Sequence, residues 1–391
     1  MLTIDIEDLG FDSGAHLLVK HALGKIPEGS QILVKGSSAE WAGQLRAWCR
    51  MTGHSFAVAD EGMLVTKSAG NASAIFSGRS DPGSPDAVLD RPPACLGLAA
   101  RGAQVEAGSP EFDFRLKEKI EVWSENAADL YAQSVAAQWD PGKSIDWNIA
   151  FDLPDEIEDA VSQVMTYLIE NENAALVVPA RFLGTLHPHF REVQAVLAMQ
   201  IADEARHIEV FTTRLRMKGR EPALSSAGGQ ASLKTLLDES DFSVAGFLLS
   251  VLGEGTFVSL LHFLHEHAPD PVTRQIAKLA ARDEARHVAF GMGHLLARLE
   301  SEPEFRHRLA IAVGERHDVL STTSGLNTEV FDALILLAAG SLEPAAIASG
   351  FAKVQELMRD MHAGRYARLL RLGFGPEEAG RLASLHTRNF M

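Results

Sequence analysis

The residues best placed to do chemistry form one pentapeptide written twice, Asp203-Glu204-Ala205-Arg206-His207 and Asp283-Glu284-Ala285-Arg286-His287. Each copy sets a Glu and a His three positions apart, so on a helix both side chains leave one face. A lone E-x-x-H is weak: Glu304-Phe305-Arg306-His307 is such a decoy, lacking the preceding Asp and starting a charged helix after Pro303. Five identical positions recurring eighty residues apart on two amphipathic stretches carry far more information. Two such helices, each facing a helix that supplies another Glu, make a four-helix cage for two metal ions.

Register points to the two remaining carboxylates. Over 154–183, Val161, Met165, Leu168, Ala175 and Pro179 mark one stripe, and Glu172 falls on it, whereas Glu170 lies about 200° away. Over 242–267 the inward stripe is Phe247, Val251, Phe257, Val258 and Leu261, and Glu254 interrupts it. At 1.5 Å per residue, Glu172 and Glu204 lie about 18 and 24 Å from their shared turn, and Glu254 and Glu284 about 22 and 20 Å from theirs. Antiparallel neighbours would therefore bring the carboxylates to one level. Buried ionised carboxylates are very costly unless neutralised. Glu172, Glu204, Glu254 and Glu284 with His207 and His287 would hold two divalent cations near neutrality, in oxygen-rich coordination that suits iron or manganese.

The elements that must position these groups are helices. From 111 onward, Pro or Asx/Ser starts and Gly or Pro stops predict helices over 112–139, 154–183, 188–217, 242–267, 271–299, 304–320, 328–339, 344–372 and 376–385. The organisation expected is mainly α: a core bundle at 154–300, further helices at 304–391, and a small two-layer βαβαββ domain at 1–70. In that first domain, strands are expected at 2–6, 31–35, 55–59 and 62–67 and helices at 14–26 and 39–52. Residues 71–110, rich in Ser, Gly, Pro and Ala, read as a flexible linker.

Composition sets bounds on partners. With 391 residues and a formal charge of −16, the chain is ample for two domains and ill suited to nucleic acid or an anionic membrane. Two cysteines, Cys49 and Cys95, build no disulfide framework and suit a reducing cytoplasm. The N-terminus lacks the pattern of a signal peptide. No run of 18 apolar residues is read as a membrane span. Cys49 sits on an apolar helix and reads as core; His187, His189, His262, His265 and His267 read as exposed turn or helix-end groups.

The set Glu172, Glu204/His207, Glu254, Glu284/His287 resembles the ferritin-like di-iron family over about residues 112–300. It is most like the branch with methane and toluene monooxygenase hydroxylases, ribonucleotide reductase small subunits and ligand-binding oxidases. The resemblance implies an O2-activating di-iron (or Mn/Fe) oxidoreductase acting on a small organic substrate, with Glu204, Glu254 and Glu284 in catalytic roles. It also implies that Asp203 and Asp283 accept the imidazole N–H groups, with Arg206 and Arg286 pairing with those carboxylates. An external ferredoxin or reductase would supply electrons, since no flavin, nicotinamide or iron–sulfur motif is present. A homodimer is expected for such a bundle. The departures matter. Position 211 is Phe where a radical Tyr would stand, position 258 is Val where the hydroxylases carry Thr, and position 280 is Ala where an N-oxygenase group carries an extra His. The alternative within reach is a ferroxidase or peroxide scavenger of the ferritin and rubrerythrin kind.

Residues 1–68 resemble the small sulfur-carrier proteins of the TusA/SirA type, through the βαβαββ order and Trp48-Cys49-Arg50-Met51-Thr52-Gly53-His54. That family places Cys-Pro at the start of its first helix, where this chain reads Asp12-Ser13-Gly14-Ala15. Without a thiolate there, persulfide chemistry has no nucleophile, which leaves a docking or regulatory role.

Overall fold

A computed structural model describes residues 1–68, 84–106, 108–321 and 328–385. The chain divides into two units, Met1–Ala87 with Pro93–Asp113, and Val88–Pro92 with Phe114–Met391.

In the first unit, short β-branched and aliphatic runs form strands β1 (Leu2–Asp5), β2 (Gln31–Lys35), β3 (Ser55–Ala59) and β4 (Gly62–Thr66). They pair in the order β1-β2-β4-β3, β1 parallel to β2 and the other pairs antiparallel, with Ile32 opposite Val65 and Phe56 opposite Val65. The parallel pair requires a crossover, supplied by α1 (Ala15–Gly24). Helix α2 (Trp41–Thr52) stops at Gly53, whose φ of +76° lets the His54 N–H bond back to the Cys49 carbonyl at 2.9 Å. Val19, Leu23, Leu45 and Cys49 close over Ile32, Val34, Met63 and Val65. Cys49 is fully buried, and burial pushes its thiol up to about 11. Of the stretch expected as a linker, residues 71–83 and 107 lie outside the described residues. Within it, a turn of 3-10 helix at Ala94–Leu96 buries Leu96 and leaves Cys95 partly exposed.

The second unit is helical. Its elements are α3 (Lys119–Val122), α4 (Ala127–Ala136), α5 (Pro141–Ser144), α6 (Asp155–Leu183), α7 (Arg191–Met217), α8 (Ala227–Asp238) and α9 (Phe242–Gly246). A π-helical segment, Phe247–Glu254, continues α9 into α10 (Gly255–His267). Then come α11 (Pro271–Ser301), α12 (Phe305–Ser321), α13 (Thr328–Ala339), α14 (Pro344–Arg371) and α15 (Pro376–Ser384). Helices α6 and α7 form one hairpin, and α9–π–α10 with α11 the other, giving a four-helix bundle with further helices around it.

Three departures from the sequence expectation have local causes. The helix expected over 112–139 is broken. Ser124 donates to the Asn126 side chain at 2.5 Å, and Asn126 donates to the Ala289 carbonyl at 3.0 Å, so side chains take over where helical backbone bonds would run. Helix α8 was not expected because Gly228-Gly229 weakens the pattern; the Ser226 hydroxyl caps it by accepting from the Gly229 N–H at 3.0 Å. The π segment has no signature in propensity, and it carries Glu254 at its end.

No unbroken run of 18 apolar residues is present, since Glu254 interrupts the longest apolar helix. Among the described residues, Phe242–His267 is long and apolar enough to cross a membrane, and most of it is buried inside the bundle. That burial fits the central helix of a core equally well.

Polar residues cut the bundle core in two. One apolar cluster holds Ala175, Leu197, Leu252 and Phe290; the other holds Leu168, Val210, Phe257 and Ala281. On each of the four helices the switch between clusters falls at one place. That place is Glu172, Glu204/His207, Glu254 or Glu284/His287.

Candidate metal centre

All six residues read from the sequence as ligands converge. Glu172 comes from α6, Glu204 and His207 from α7, Glu254 from the end of the π segment, and Glu284 and His287 from α11; each is at most 4% exposed. Two overlapping groups form, Glu172–Glu204–His207–Glu284 and Glu204–Glu254–Glu284–His287, each with one atom per residue within 4.8 Å of the others. Glu204 and Glu284 belong to both. Glu204 turns Oε2 to His207 Nδ1 at 3.1 Å and Oε1 to His287 Nδ1 at 3.0 Å. Glu284 turns Oε1 to His207 Nδ1 at 3.4 Å and Oε2 to His287 Nδ1 at 3.3 Å. Two bridging carboxylates therefore lie between two ends, one closed by Glu172 and His207, the other by Glu254 and His287.

The donor set fits cations. Neighbouring ligand atoms around an octahedral ion at about 2.1 Å lie about 3.0 Å apart, close to these separations. Among the described residues Glu172 Oε1, Glu204 Oε1, Glu254 Oε2 and Glu284 Oε1 are buried and make no hydrogen bond, although an imidazole Nδ1 stands 3.5, 3.0 and 3.4 Å from Glu172 Oε1, Glu204 Oε1 and Glu284 Oε1. Orphaned buried acceptors are uncommon and need a cause. Each imidazole meanwhile spends its outer nitrogen on an aspartate: His207 Nε2 lies 3.2 Å from Asp283 Oδ2, and His287 Nε2 lies 3.4 Å from Asp203 Oδ2. An Nε2–H bonded to a carboxylate leaves Nδ1 as the ligating lone pair, pointed inward.

Electrostatics agree. Burial raises Glu172 well above the usual carboxylate range, and the charges of Glu204 and Glu284 add to it. Burial likewise raises Glu254, with Glu284 next in weight. For Glu204 burial also pushes upward, but His287 and His207 outweigh it and hold the carboxyl low. His207 and His287, which burial would lower, are raised well above the ordinary imidazole value by the carboxylates around them. The cage demands positive charge, which in the metal-free chain comes from protons.

The expected outer groups are in place, with a crossing the sequence did not reveal. Arg206 Nη2 bonds Asp203 Oδ1 at 2.5 Å and Asp283 Oδ2 at 2.8 Å, and Arg286 pairs with Asp283. Three further residues were not foreseen. Trp139 Nε1 donates to Asp283 Oδ2 at 2.7 Å while its ring lies 4.6 Å from the Arg206 guanidinium. Gln138 bridges Asp203 and Arg206. Gln200, one turn before Glu204, donates to Glu254 Oε1 at 2.8 Å. Only Gln200 left a readable signal, as a polar residue on the inward face of α7. Gln138 and Trp139 act from non-helical chain after α4.

Elsewhere the histidines divide. His262 and His265 are exposed as expected, and so are Glu304 and His307 of the decoy. His187 and His189 are not: both are buried, with His189 Nε2 accepting from the Leu89 N–H at 2.8 Å. Flanking Pro188 in a turn does not expose them, because the chain at Leu89 and Phe114 covers that turn. His294, not singled out from the sequence, is fully enclosed between Ser243 and the Trp123 carbonyl, and burial lowers it to about 4.

Two small apolar cavities flank the cage. One, of about 20 Å³, touches Glu172, Glu254, Glu284, Leu249 and Phe257; the other, of about 30 Å³, touches Gln200, Ser250, Leu249, Phe182 and His294.

No protein-family profile matches the sequence, and no curated protein is similar to it in sequence. Solved structures are similar at low identity. A protein with aldehyde deformylating oxidase activity from Synechococcus is 17% identical, with a TM-score of 0.44 over 60% of this chain and 98% of that one. An R2-like ligand-binding oxidase from Sulfolobus acidocaldarius is 17% identical, with a TM-score of 0.46 over 70% and 97%. A variant R2-like ligand-binding oxidase with a reconstituted Mn/Fe cofactor is 16% identical, with a TM-score of 0.45 over 68% and 95%. Similarity at this level leaves the reading of the site to the chain's own residues.

Proposed function

We propose that the cage holds two iron ions, or one manganese and one iron, and that the chain is an O2-using oxidoreductase acting on a small organic substrate. The observation that carries this reading is the pair of bridging carboxylates, each presenting one oxygen to each imidazole, at the level where the core is cut in two. Such a metal pair, when bound, supplies the redox chemistry and the activation of O2.

The chain's own residues do the rest. Glu172, Glu204, His207, Glu254, Glu284 and His287 would hold the two ions, with Glu204 and Glu284 within reach of both imidazoles. Asp203 and Asp283 orient the imidazoles, and Arg206 and Arg286 balance the aspartates. Gln200 holds one oxygen of Glu254 and leaves the other toward the cage. Leu249 lines both adjoining cavities and Phe257 the one beside Glu254; at about 20 and 30 Å³ these hold about one water-sized molecule each, not a substrate body. We further propose an external ferredoxin or reductase as electron donor, a cytoplasmic homodimer, and a docking role for the sulfur-carrier-like residues 1–70. Deletion of residues 1–70 with no loss of turnover would remove that docking role.

The direct test is iron bound per chain after anaerobic ferrous loading. About two equivalents are expected, falling sharply in Glu204→Ala, because that residue serves both ions. A folded wild-type chain that takes up neither iron nor manganese would end this reading.

A further inference from the structure

Across the π segment from the cage lies a group of buried and half-buried cations with no carboxylate partner among the described residues. Arg316 of α12 and Arg365 of α14 are 9% and 4% exposed, and both line a cavity of about 20 Å³ with Leu248, Leu252, Val313 and Leu320. Arg368 lies one turn beyond Arg365, its guanidinium so close over Gly255 that a Cβ there would come within 2.5 Å of its Cζ. Their only side-chain hydrogen bonds among the described residues are to hydroxyls: Arg316 to Ser232 at 3.0 Å and Arg365 to Thr256 at 3.4 Å. Arg316 Nη1, Arg365 Nε and Arg368 Nε and Nη2 are buried with no acceptor, and no described carboxylate forms an ion pair with any of the three.

Buried guanidiniums are ordinarily paired, since an unpaired buried charge is strongly disfavoured. Burial, with the charges of Arg368 and Arg316, lowers Arg365 to about 9; burial lowers Arg316 and Arg368 to about 10. These three remain cations at neutral pH, near enough for Arg368 and Arg316 to act on Arg365, with no anion paired to them among the described residues.

The cavity continues outward. Arg316 and Leu248 also line a groove of about 480 Å³ between α8 and α12, floored by Ala231, Ala312 and Val319. That volume is in the range of small-molecule sites. Asp238, Glu239 and Glu315 also line it; Asp238 and Glu315 are exposed, Lys234 pairs with Asp238, and Glu239 accepts from the Asp241 N–H at 2.7 Å. The positive charge is concentrated at the inner end and the apolar surface along the floor.

We propose that this groove and its arginine-lined inner end bind a small organic anion, with a carboxylate or phosphate head between Arg316 and Arg365 and an apolar body along α8 and α12. A guanidinium fork matches either head in two-point geometry. The site is separate from the cage and does not depend on which metal the cage holds.

Calorimetric titration of the full chain tests it, with octanoate, octyl phosphate, octanol, acetate and inorganic phosphate as probes. One eight-carbon anion is expected to bind saturably at one per chain, at least tenfold tighter than octanol and than its own head group alone; the tighter of the two identifies the head. Arg365→Lys and Arg316→Met should each weaken that anion at least tenfold with helical circular dichroism unchanged. If either variant fails to fold, Val319→Glu decides, since it puts a carboxylate into the groove at an exposed position and should weaken the anion but not octanol. Octanol binding as tightly as the anions, anion binding unaltered in the variants, or no saturable binding of any probe would overturn the proposal. Iron content, read on the same samples, separates this result from the fate of the cage.

Discussion

Each imidazole of the cage is fixed by the aspartate of the other pentapeptide, His207 by Asp283 and His287 by Asp203. Arg206 ties the two aspartates together through Nη2. Asp283 carries the larger load: it receives His207, Arg206, Arg286 and the Trp139 indole, and burial, which would raise it, is outweighed by those donors so that it stays low. An ionised Asp283 keeps the proton on His207 Nε2 and the lone pair on Nδ1. Asp283→Asn keeps the shape and removes that charge. Outer partners of metal ligands are typically worth about 10–100-fold in metal affinity, and a loss of that order is expected in chelator competition. Affinity equal to wild type would show that Asp283 does not orient the ligand.

At the scale of elements, a buried clamp holds the helix ends remote from the cage's polar layer. Arg214 of α7, fully buried, bonds Glu158 of α6 at 3.1 and 3.3 Å and Asp270 at 2.9 and 3.3 Å. Asp270 also caps α11 by accepting from the Thr273 N–H at 2.8 Å. One side chain thus sets the relative heights of α6, α7 and α11, on which the alignment of Glu172, Glu204 and Glu284 depends. Arg214→Met leaves the buried Glu158 carboxylate without its cation and Asp270 with Thr273 alone, at an expected cost of about 3–5 kcal/mol. Urea unfolding measures it; a loss below about 1 kcal/mol would mean the carboxylates relax onto water or protons. The second element of note is the π segment. Where α11 crosses it, Gly291 approaches so closely that a Cβ would lie 2.8 Å from the Ser250 Cβ. Glycine is needed there because the widened turn that delivers Glu254 also brings the two backbones together.

At the scale of the whole helical unit, the cage is the seam between two apolar clusters. If the cage holds the two ions proposed above, their binding adds to the stability of the folded unit. Binding to the folded state alone at a hundred times Kd stabilises by about 2.7 kcal/mol. For a unit of this size each kcal/mol moves the midpoint by about 2–4 °C. Ferrous loading should therefore raise the melting temperature of the helical unit by several degrees, reversibly with chelator, and by less in Asp283→Asn. A midpoint indifferent to metal would place the ions outside the seam.

The repeated pentapeptide, the inward register of Glu172 and Glu254, and the cap-and-breaker pattern from residue 154 onward were legible in the chain alone. Each rests on local periodicity: one side chain every three or four residues on a face, stopped by Pro or Gly. The same logic found the βαβαββ order of the first unit, and found Cys49 on an apolar face. What periodicity cannot express was decided in three dimensions. Nothing local says that Glu204 and Glu284 stand between both imidazoles while Glu172 and Glu254 lie at opposite ends, or that each aspartate serves the other copy's histidine. Those follow from which helices lie side by side. The π segment, the reach of Gln138 and Trp139 beyond α4, the burial of His187 and His189, and the unpaired arginines behind Glu254 have the same origin. Each is a contact between residues far apart in sequence, chosen by packing and charge balance rather than by the propensity of the segment that carries it.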